Sequence, residues 1–365
     1  MKLVVFGLTI TSSWGNGHAT LWRALCKALV RRGHRIVFFE KDVPWYAGAR
    51  DLEALPGVEI LLYPSWESAR APAERHLADA DVGMVTSYCP DGLAASELVL
   101  RSPAEARVFY DLDTPVTLAR VAAGEAVGYL PPQGLGDFDL VLSYTGGDAL
   151  TRLRRRLGAR RVAPLYGSVD PEAHRPAMPA SAYRADLSYL GTYAADRQAG
   201  LEALLMRPAQ RLPGRRFVIG GAQYPADFPW SDNIFFVRHL PPAEHPAFFS
   251  STRLTLNITR QAMAEMGYCP SGRLFEAAAC GALVLSDRWE GLDRFYQPGS
   301  EILVAGTTDE AVAALALGGE ETGRMAARAR QRTLDEHTAD HRARDLEAAL
   351  ALIAVPAPGA MAEEA

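Results

Sequence analysis

Residues 270–287 read P-S-G-R-L-F-E-A-A-A-C-G-A-L-V-L-S-D: a proline, a serine and a glycine open a helix, Gly281 stops it, and a buried strand follows at once. That order places a helix N-terminus near a strand end, where exposed amides and the positive end of the helix dipole can hold an anion. Arg273 would add charge-assisted bonds to a phosphate. Glu276, one turn further in, stands where a carboxylate can accept from two vicinal hydroxyls such as those of a ribose. The plainer reading is also open, with Ser271 a helix cap, Arg273 a surface arginine and Glu276 an acid suited to the dipole.

Upstream of this stretch the same alternation recurs. D-L-S-Y-L-G-T (186–192), R-R-F-V-I-G-G (215–221), N-I-F-F-V-R-H (233–239), L-T-L-N-I-T-R (254–260) and A-L-V-L-S-D (282–287) read as strands. In the first half, apolar runs at 3–8, 35–40, 58–63, 82–88, 107–111 and 140–143 alternate with helical patterns at 19–32, 91–100, 116–122 and 148–157. Strands that are apolar on both faces and separated by helices imply parallel, doubly wound sheets. The fold class is therefore α/β, with two Rossmann-like domains, and ligands are expected beyond the carboxyl ends of the strands. The expected division is 1–165 for the first domain, 166–185 for a Pro-rich hinge and 186–330 for the second. A polar helical pattern runs over 321–353; its last part, 331–355, is expected to form a C-terminal helix that packs back across the two domains, which are expected to face each other across a cleft. Residues 356–365 are expected to form a frayed, disordered tail.

Composition narrows the function classes. The chain has 365 residues, is 48% hydrophobic and carries a formal charge of only -5, with its basic residues scattered, which argues against nucleic acid as a main partner. Cys26, Cys89, Cys269 and Cys280 lie far apart and form no C-x-x-C pair, so they read as buried thiols of a cytoplasmic protein and not as metal ligands. The opening M-K-L-V-V-F-G reads as a first strand, not a signal peptide, and no run is long enough to span a bilayer.

Taken with W-E-G-L-D-R-F-Y-Q-P-G-S-E-I-L (289–303), the 270–287 stretch resembles the donor-nucleotide segment of glycosyltransferases with the two-domain GT-B fold, the glycosyl transferases group 1. The chain is most similar to their CgeB-like branch, named for a spore-maturation protein. D-L-S-Y-L-G-T-Y-A-A-D-R-Q (186–198), P-L-Y-G-S-V-D-P (164–171), W-G-N-G-H-A-T (14–20) and D-V-P-W-Y-A-G-A-R-D (42–51) carry the same resemblance, which spans about residues 1–340. It implies a nucleotide-sugar co-substrate, a nucleoside diphosphate sugar, bound mainly by the second domain, with no other cofactor and no metal. The acceptor, a small molecule or a surface or secondary-metabolite hydroxyl, would bind the first domain. By the resemblance Glu276 holds the nucleotide ribose and Arg197 meets the diphosphate. Many retaining relatives carry a second glutamate eight positions earlier, but Tyr268 stands there and Glu265 lies three residues further back, so the stereochemical outcome stays open.

Other strand ends supply further candidates. On the donor side these are Thr192, Tyr193, Asn257, Arg260 and the Ser271–Gly272–Arg273 turn, with Arg260 either a second diphosphate cation or a solvated loop residue. Gly220 and Gly221 close another strand of this half, while His239 and His245 flank a Pro-rich loop. In the first half, Y-D-L-D-T-P puts Asp111 and Asp113 at a strand end. They could hold a metal, supply a general base for the acceptor hydroxyl, or cap the next helix.

The turn T-S-S-W-G-N-G-H-A-T (11–20) resembles a dinucleotide loop without its third glycine, with Glu40 or Asp42 as the following acid. With the nucleotide assigned to the second domain, Trp14, Gly15, Asn16 and Gly17 become acceptor-side residues, together with Tyr144. His18 is a candidate base, since a helix N-terminus favours neutral imidazole, or else a structural histidine bonded to the loop. Two other functions share this pattern: a nucleotide-sugar epimerase of the same fold, and a non-catalytic nucleotide-sugar-binding or coat protein.

Overall fold

The computed structural model describes residues 1–354; the tail expected over 356–365 lies outside the described residues. The chain divides into two compact units, Met1–Tyr166 together with the residues from Ala339 on, and Gly167–Thr338.

The first unit is built on strands β1 (Lys2–Gly7), β2 (Arg35–Lys41), β3 (Val58–Tyr63), β4 (Val82–Thr86), β5 (Ala106–Asp111), β6 (Leu140–Ser143) and β7 (Val162–Pro164). They form one sheet in the order β3-β2-β1-β4-β5-β6-β7, and every pairing is parallel. β1 pairs with both β2 and β4, Leu3 lying against Ile36 on one side and Val82 on the other. The strand order reverses there, and the loops after β1 and β4 open at that switch point. β4 is buried along its whole length, as a strand covered on both faces must be.

The helix His18–Arg31 covers this sheet with Trp22, Leu25, Cys26 and Leu29, an apolar stripe at helical spacing. The pattern read as one helix over 321–353 is two, Gly319–Glu336 in the second unit and Ala339–Ala351 in the first. The latter buries Ala343, Leu346 and Leu350 in the same core as Trp22 and Leu25. Its Glu347 takes bonds from Arg32 Nε and His34 Nε2, both at 2.7 Å. Two elements had no strong sequence signal. Trp66–Leu77 buries only Ala69, Ala73 and Leu77 and contains Pro72. β7 is three half-buried residues at the start of the Pro-rich segment, paired to β6.

The second unit repeats the plan with β8 (Ala185–Leu190), β9 (Phe217–Gly221), β10 (Ile234–Arg238), β11 (Thr252–Asn257), β12 (Leu283–Ser286) and β13 (Leu303–Val304). Their order is β10-β9-β8-β11-β12-β13, again parallel throughout. The switch point falls between β8 and β11, so the loops beginning at Gly191 and Ile258 flank it. The fold is two parallel α/β sheets with their helices.

Candidate active site

In the second unit the donor-side residues converge on the switch point. Ser271 caps the helix Gly272–Ala279, its hydroxyl accepting from the Arg273 amide at 3.4 Å. The Arg273 side chain then turns toward β8 and β11. Nη1 donates to Asn257 Oδ1 at 3.0 Å, and the guanidinium lies 5.0 Å from the Tyr189 ring centre. Asn257 is fully buried, and its Nδ2 donates to Ser286 Oγ at 3.1 Å. It therefore positions Arg273 and has little left to offer a ligand.

Arg197 donates through Nη1 to the Thr192 carbonyl at 3.2 Å, while its Nε is buried without a partner. Burial first, and among its neighbours the like charge of Arg197, push Arg273 below the ordinary arginine value. Neither guanidinium has a carboxylate within ion-pair distance among the described residues. Two close cations without an ion-pair partner, with the Glu276 charge acting on Arg273 only from a distance, make this helix N-terminus a candidate site for an anion. Arg260 differs, because its Nε is paired with Asp196 Oδ2 at 3.1 Å.

Close backbone approach shapes the same place. Gly191 follows β8, and a Cβ there would meet Arg273 Nη2 and the Tyr189 hydroxyl, each at 2.9 Å. A Cβ on Gly221 would stand 2.0 Å from the Gly191 carbonyl oxygen. Tyr193 packs its ring 5.5 Å from that of Tyr224, whose hydroxyl donates to the Gly191 carbonyl at 3.1 Å. At the position where relatives carry a further glutamate, Tyr268 sits at a φ of 48° against Gly291. Glu265 is exposed and bonded to Gln261.

Sequence reasoning passed over His174, which lies in the Pro-rich segment. It is buried and shares a cluster with His245 and Glu276. Its only signal was being a histidine in a segment without periodicity, which is no signal until the chain is folded.

In the first unit the alternatives of His18 and the aspartate pair meet. His18 Nε2 lies 3.5 Å from Asp113 Oδ2, and the ring meets Tyr88 edge-on with centroids 5.8 Å apart. Nδ1 has no partner among the described residues. Asp111 is fully buried; its Oδ1 accepts from the Asp113 amide and Thr117 Oγ1, both at 3.1 Å. Burial raises its carboxyl to about 6. Neither aspartate side chain caps the Thr114–Ala122 helix. Among the described residues the pair belongs to no cluster of three metal-capable side chains.

The turn before His18 is held by its own side chains. Asn16 Oδ1 accepts from the amides of His18 and Ala19 at 3.0 and 3.2 Å, and its Nδ2 donates to the carbonyls of Ser12 and Trp14. Asn16 thus caps the helix and closes the loop; it does not extend outward as an acceptor-side contact. Gly15 takes a φ of 67°, both Gly15 and Gly17 have open space where a Cβ would stand, and Trp14 is exposed. Tyr144 is half-buried against the core of its unit. Glu40, the acid of the dinucleotide reading, is fully buried and accepts from the Ile10 and Thr11 amides at 2.7 and 3.0 Å, so it braces this loop from below.

Residues 197–348 match the model of a family described as glycosyl transferase-like. The chain carries a glycosyl transferase-like domain. Solved structures extend the likeness to the whole fold. Sucrose-phosphate synthase from Thermosynechococcus elongatus superposes with a TM-score of 0.68 at 14% identity, over 95% of this chain and 98% of its own. Anabaena HepE, solved with UDP-glucose, gives 0.68 at 13%, over 96% and 99%. AviGT4, a glycosyltransferase involved in avilamycin A biosynthesis, gives 0.55 at 18%, over 97% and 98%. The architecture is that of the GT-B glycosyltransferases. No curated protein matches by sequence. Among the described residues no helix is long and apolar enough to cross a membrane.

Proposed function

We infer that this chain is a CgeB-like glycosyltransferase that moves a hexosyl group from a nucleoside diphosphate sugar to an acceptor hydroxyl, with no required metal. The observation that carries the reading is the pair Arg197 and Arg273, gathered without a carboxylate partner at the Ser271-capped helix. A diphosphate supplies the missing negative charge. Its solved neighbour HepE was captured with UDP-glucose, which accords with a uridine nucleotide as donor.

In this reading Glu276 accepts from the ribose hydroxyls, while Thr192 and Tyr193 line the same strand end. The bond from the anomeric carbon to the diphosphate oxygen breaks as the acceptor oxygen bonds to that carbon. Arg197, Arg273 and the helix amides stabilise the departing negative charge. His18 takes the acceptor proton, and Asp113 steadies the imidazolium that results. The two arginines and the helix end supply the positive charge that a metal would otherwise bring. Full burial of Asp111 leaves the D-x-D pair without two exposed carboxylates to hold one. The acceptor is a small molecule or a surface or secondary-metabolite hydroxyl, and four free buried cysteines suit a reducing cytoplasm.

A thermal-shift panel of nucleotides and nucleotide sugars tests the reading. A ligand at ~100 times its Kd adds ~2.7 kcal/mol to stability. If no nucleoside diphosphate or its sugar moves the midpoint, the donor assignment fails. Conversion of the donor without acceptor would instead select an epimerase, and tight binding without turnover over a broad acceptor panel a binding protein. Full turnover in EDTA is expected.

A further inference from the structure

His174, His245 and Glu276 come from three separate elements: the loop after Asp170, the first residue of the helix His245–Ser250, and the helix Gly272–Ala279. One ligand-capable atom of each lies within 4.8 Å of the other two, a grouping of which there is no second among the described residues. His174 is only 7% exposed, yet neither of its ring nitrogens has a hydrogen-bond partner, and His245 Nδ1 has none either. The two rings stand with centroids 6.0 Å apart.

Buried polar atoms are almost always satisfied, so three orphan nitrogens on two rings beside one carboxylate call for an explanation. Each neutral ring carries one N–H and one lone pair. An electron-pair acceptor would take one nitrogen from each ring together with a carboxylate oxygen. Burial, opposed by the nearby Glu276 charge, holds His245 below the ordinary imidazole value, which keeps its lone pair free. Two imidazoles and a carboxylate are the donor set of zinc-class ions. A tetrahedral site with bonds of about 2.0–2.1 Å wants ligand atoms about 3.3–3.5 Å apart, a closure that small side-chain rotations supply.

We propose that His174, His245 and Glu276 form a binding site for a zinc-class divalent cation that competes with the nucleotide for Glu276. The competition rests on the donor reading given above; the metal site does not. An ion here withdraws the carboxylate from the ribose, so the metal inhibits. This site is distinct in residues and in effect from any catalytic metal on the donor diphosphate.

Zinc chloride titrated calorimetrically into the metal-stripped full chain, in a non-chelating buffer, is expected to show one saturable site. Cobalt chloride should give visible absorption bands of an ordered low-coordinate complex. His174→Gln and His245→Gln should each weaken zinc by at least the about 10–100-fold that loss of a mere supporting group costs. Unchanged melting curves by circular dichroism report that both variants fold, and His341→Gln should keep wild-type zinc affinity. Equal zinc affinity in the wild type and both cluster variants overturns the site. Saturating UDP should weaken zinc about tenfold or more; no effect of bound UDP overturns the sharing of Glu276. A chain that binds zinc through the cluster but binds no nucleotide upholds the metal site and overturns the donor reading.

Discussion

His18 and Asp113, 95 residues apart in the chain, are brought to 3.5 Å between Nε2 and Oδ2. In the proposed mechanism a base and the acid that orients it thus come from the segments that follow β1 and β5. His18→Ala should lower kcat by about 10²-fold or more while leaving nucleotide affinity unchanged. Asp113→Asn should lower kcat less, since the imidazolium loses its counter-charge while the base itself remains. Wild-type kcat in His18→Ala would remove it from the mechanism.

Gly191 tests the anion site without touching a charge. An added methyl would meet Arg273 Nη2 and the hydroxyl of the buried Tyr189, each at 2.9 Å, so the guanidinium and the ring must both shift. Gly191→Ala should therefore weaken UDP and lower the melting temperature of the free chain. Removing a charge-assisted bond costs about 1.5–3 kcal/mol, or about 10–150-fold in Kd. Unchanged UDP affinity measured by calorimetry would show that Arg273 does not meet the diphosphate.

Glu276→Ala should weaken ribonucleotides and leave free pyrophosphate affinity unchanged, because only the former carry the hydroxyls. Equal losses for both ligands would refute the ribose role.

Asp111 makes stability depend on pH. Its carboxyl is raised by burial from 3.8 to about 6, so the folded chain binds that proton more tightly than the unfolded one. The stabilising contribution is complete below about 3.8 and is lost as pH rises through about 6. Asp111→Asn keeps the acceptor for Thr117 and cannot ionise. Its melting temperature relative to wild type should rise between pH 5 and pH 8; a flat difference would refute the argument.

Glu347 runs the other way. Hydrogen bonds from Arg32 and then His34 hold it down at about 2, against an ordinary 4.5, so its contribution is present above about 4.5 and lost as pH falls toward 2. Glu347→Gln should lower the melting temperature at pH 6 and leave it nearly unchanged at pH 2.5.

Much of this was legible in the sequence because parallel strands buried on both faces announce themselves as short apolar runs. β1, β4 and β12 are such runs; the loop after β1 leads to His18, β11 ends at Asn257, and Ser271 opens the helix that feeds β12. What escaped notice had weak or local signals. The Trp66–Leu77 helix rests on two alanines and a leucine, and β7 is hidden in a proline-rich stretch. Roles were harder than places. Asn16, Asn257 and Arg260 all stand where a ligand contact was expected, yet the structure commits each to a neighbour. Such pairings depend on side chains distant in the chain, and no local pattern encodes them. His174 became notable only because folding left its nitrogens unanswered.

The closing helix, Ala339–Ala351, completes the core laid down by residues 1–166 after the chain has built a whole second unit. During synthesis the first unit emerges first and is finished last. Trp22 and Leu25 must wait for Leu346 and Leu350 to leave the ribosome, while residues 167–338 can already close on themselves. A stop codon at Ala339 would leave the intervening unit whole and the opening one uncovered. Loss of a few C-terminal turns would thus strike the end of the protein that carries His18.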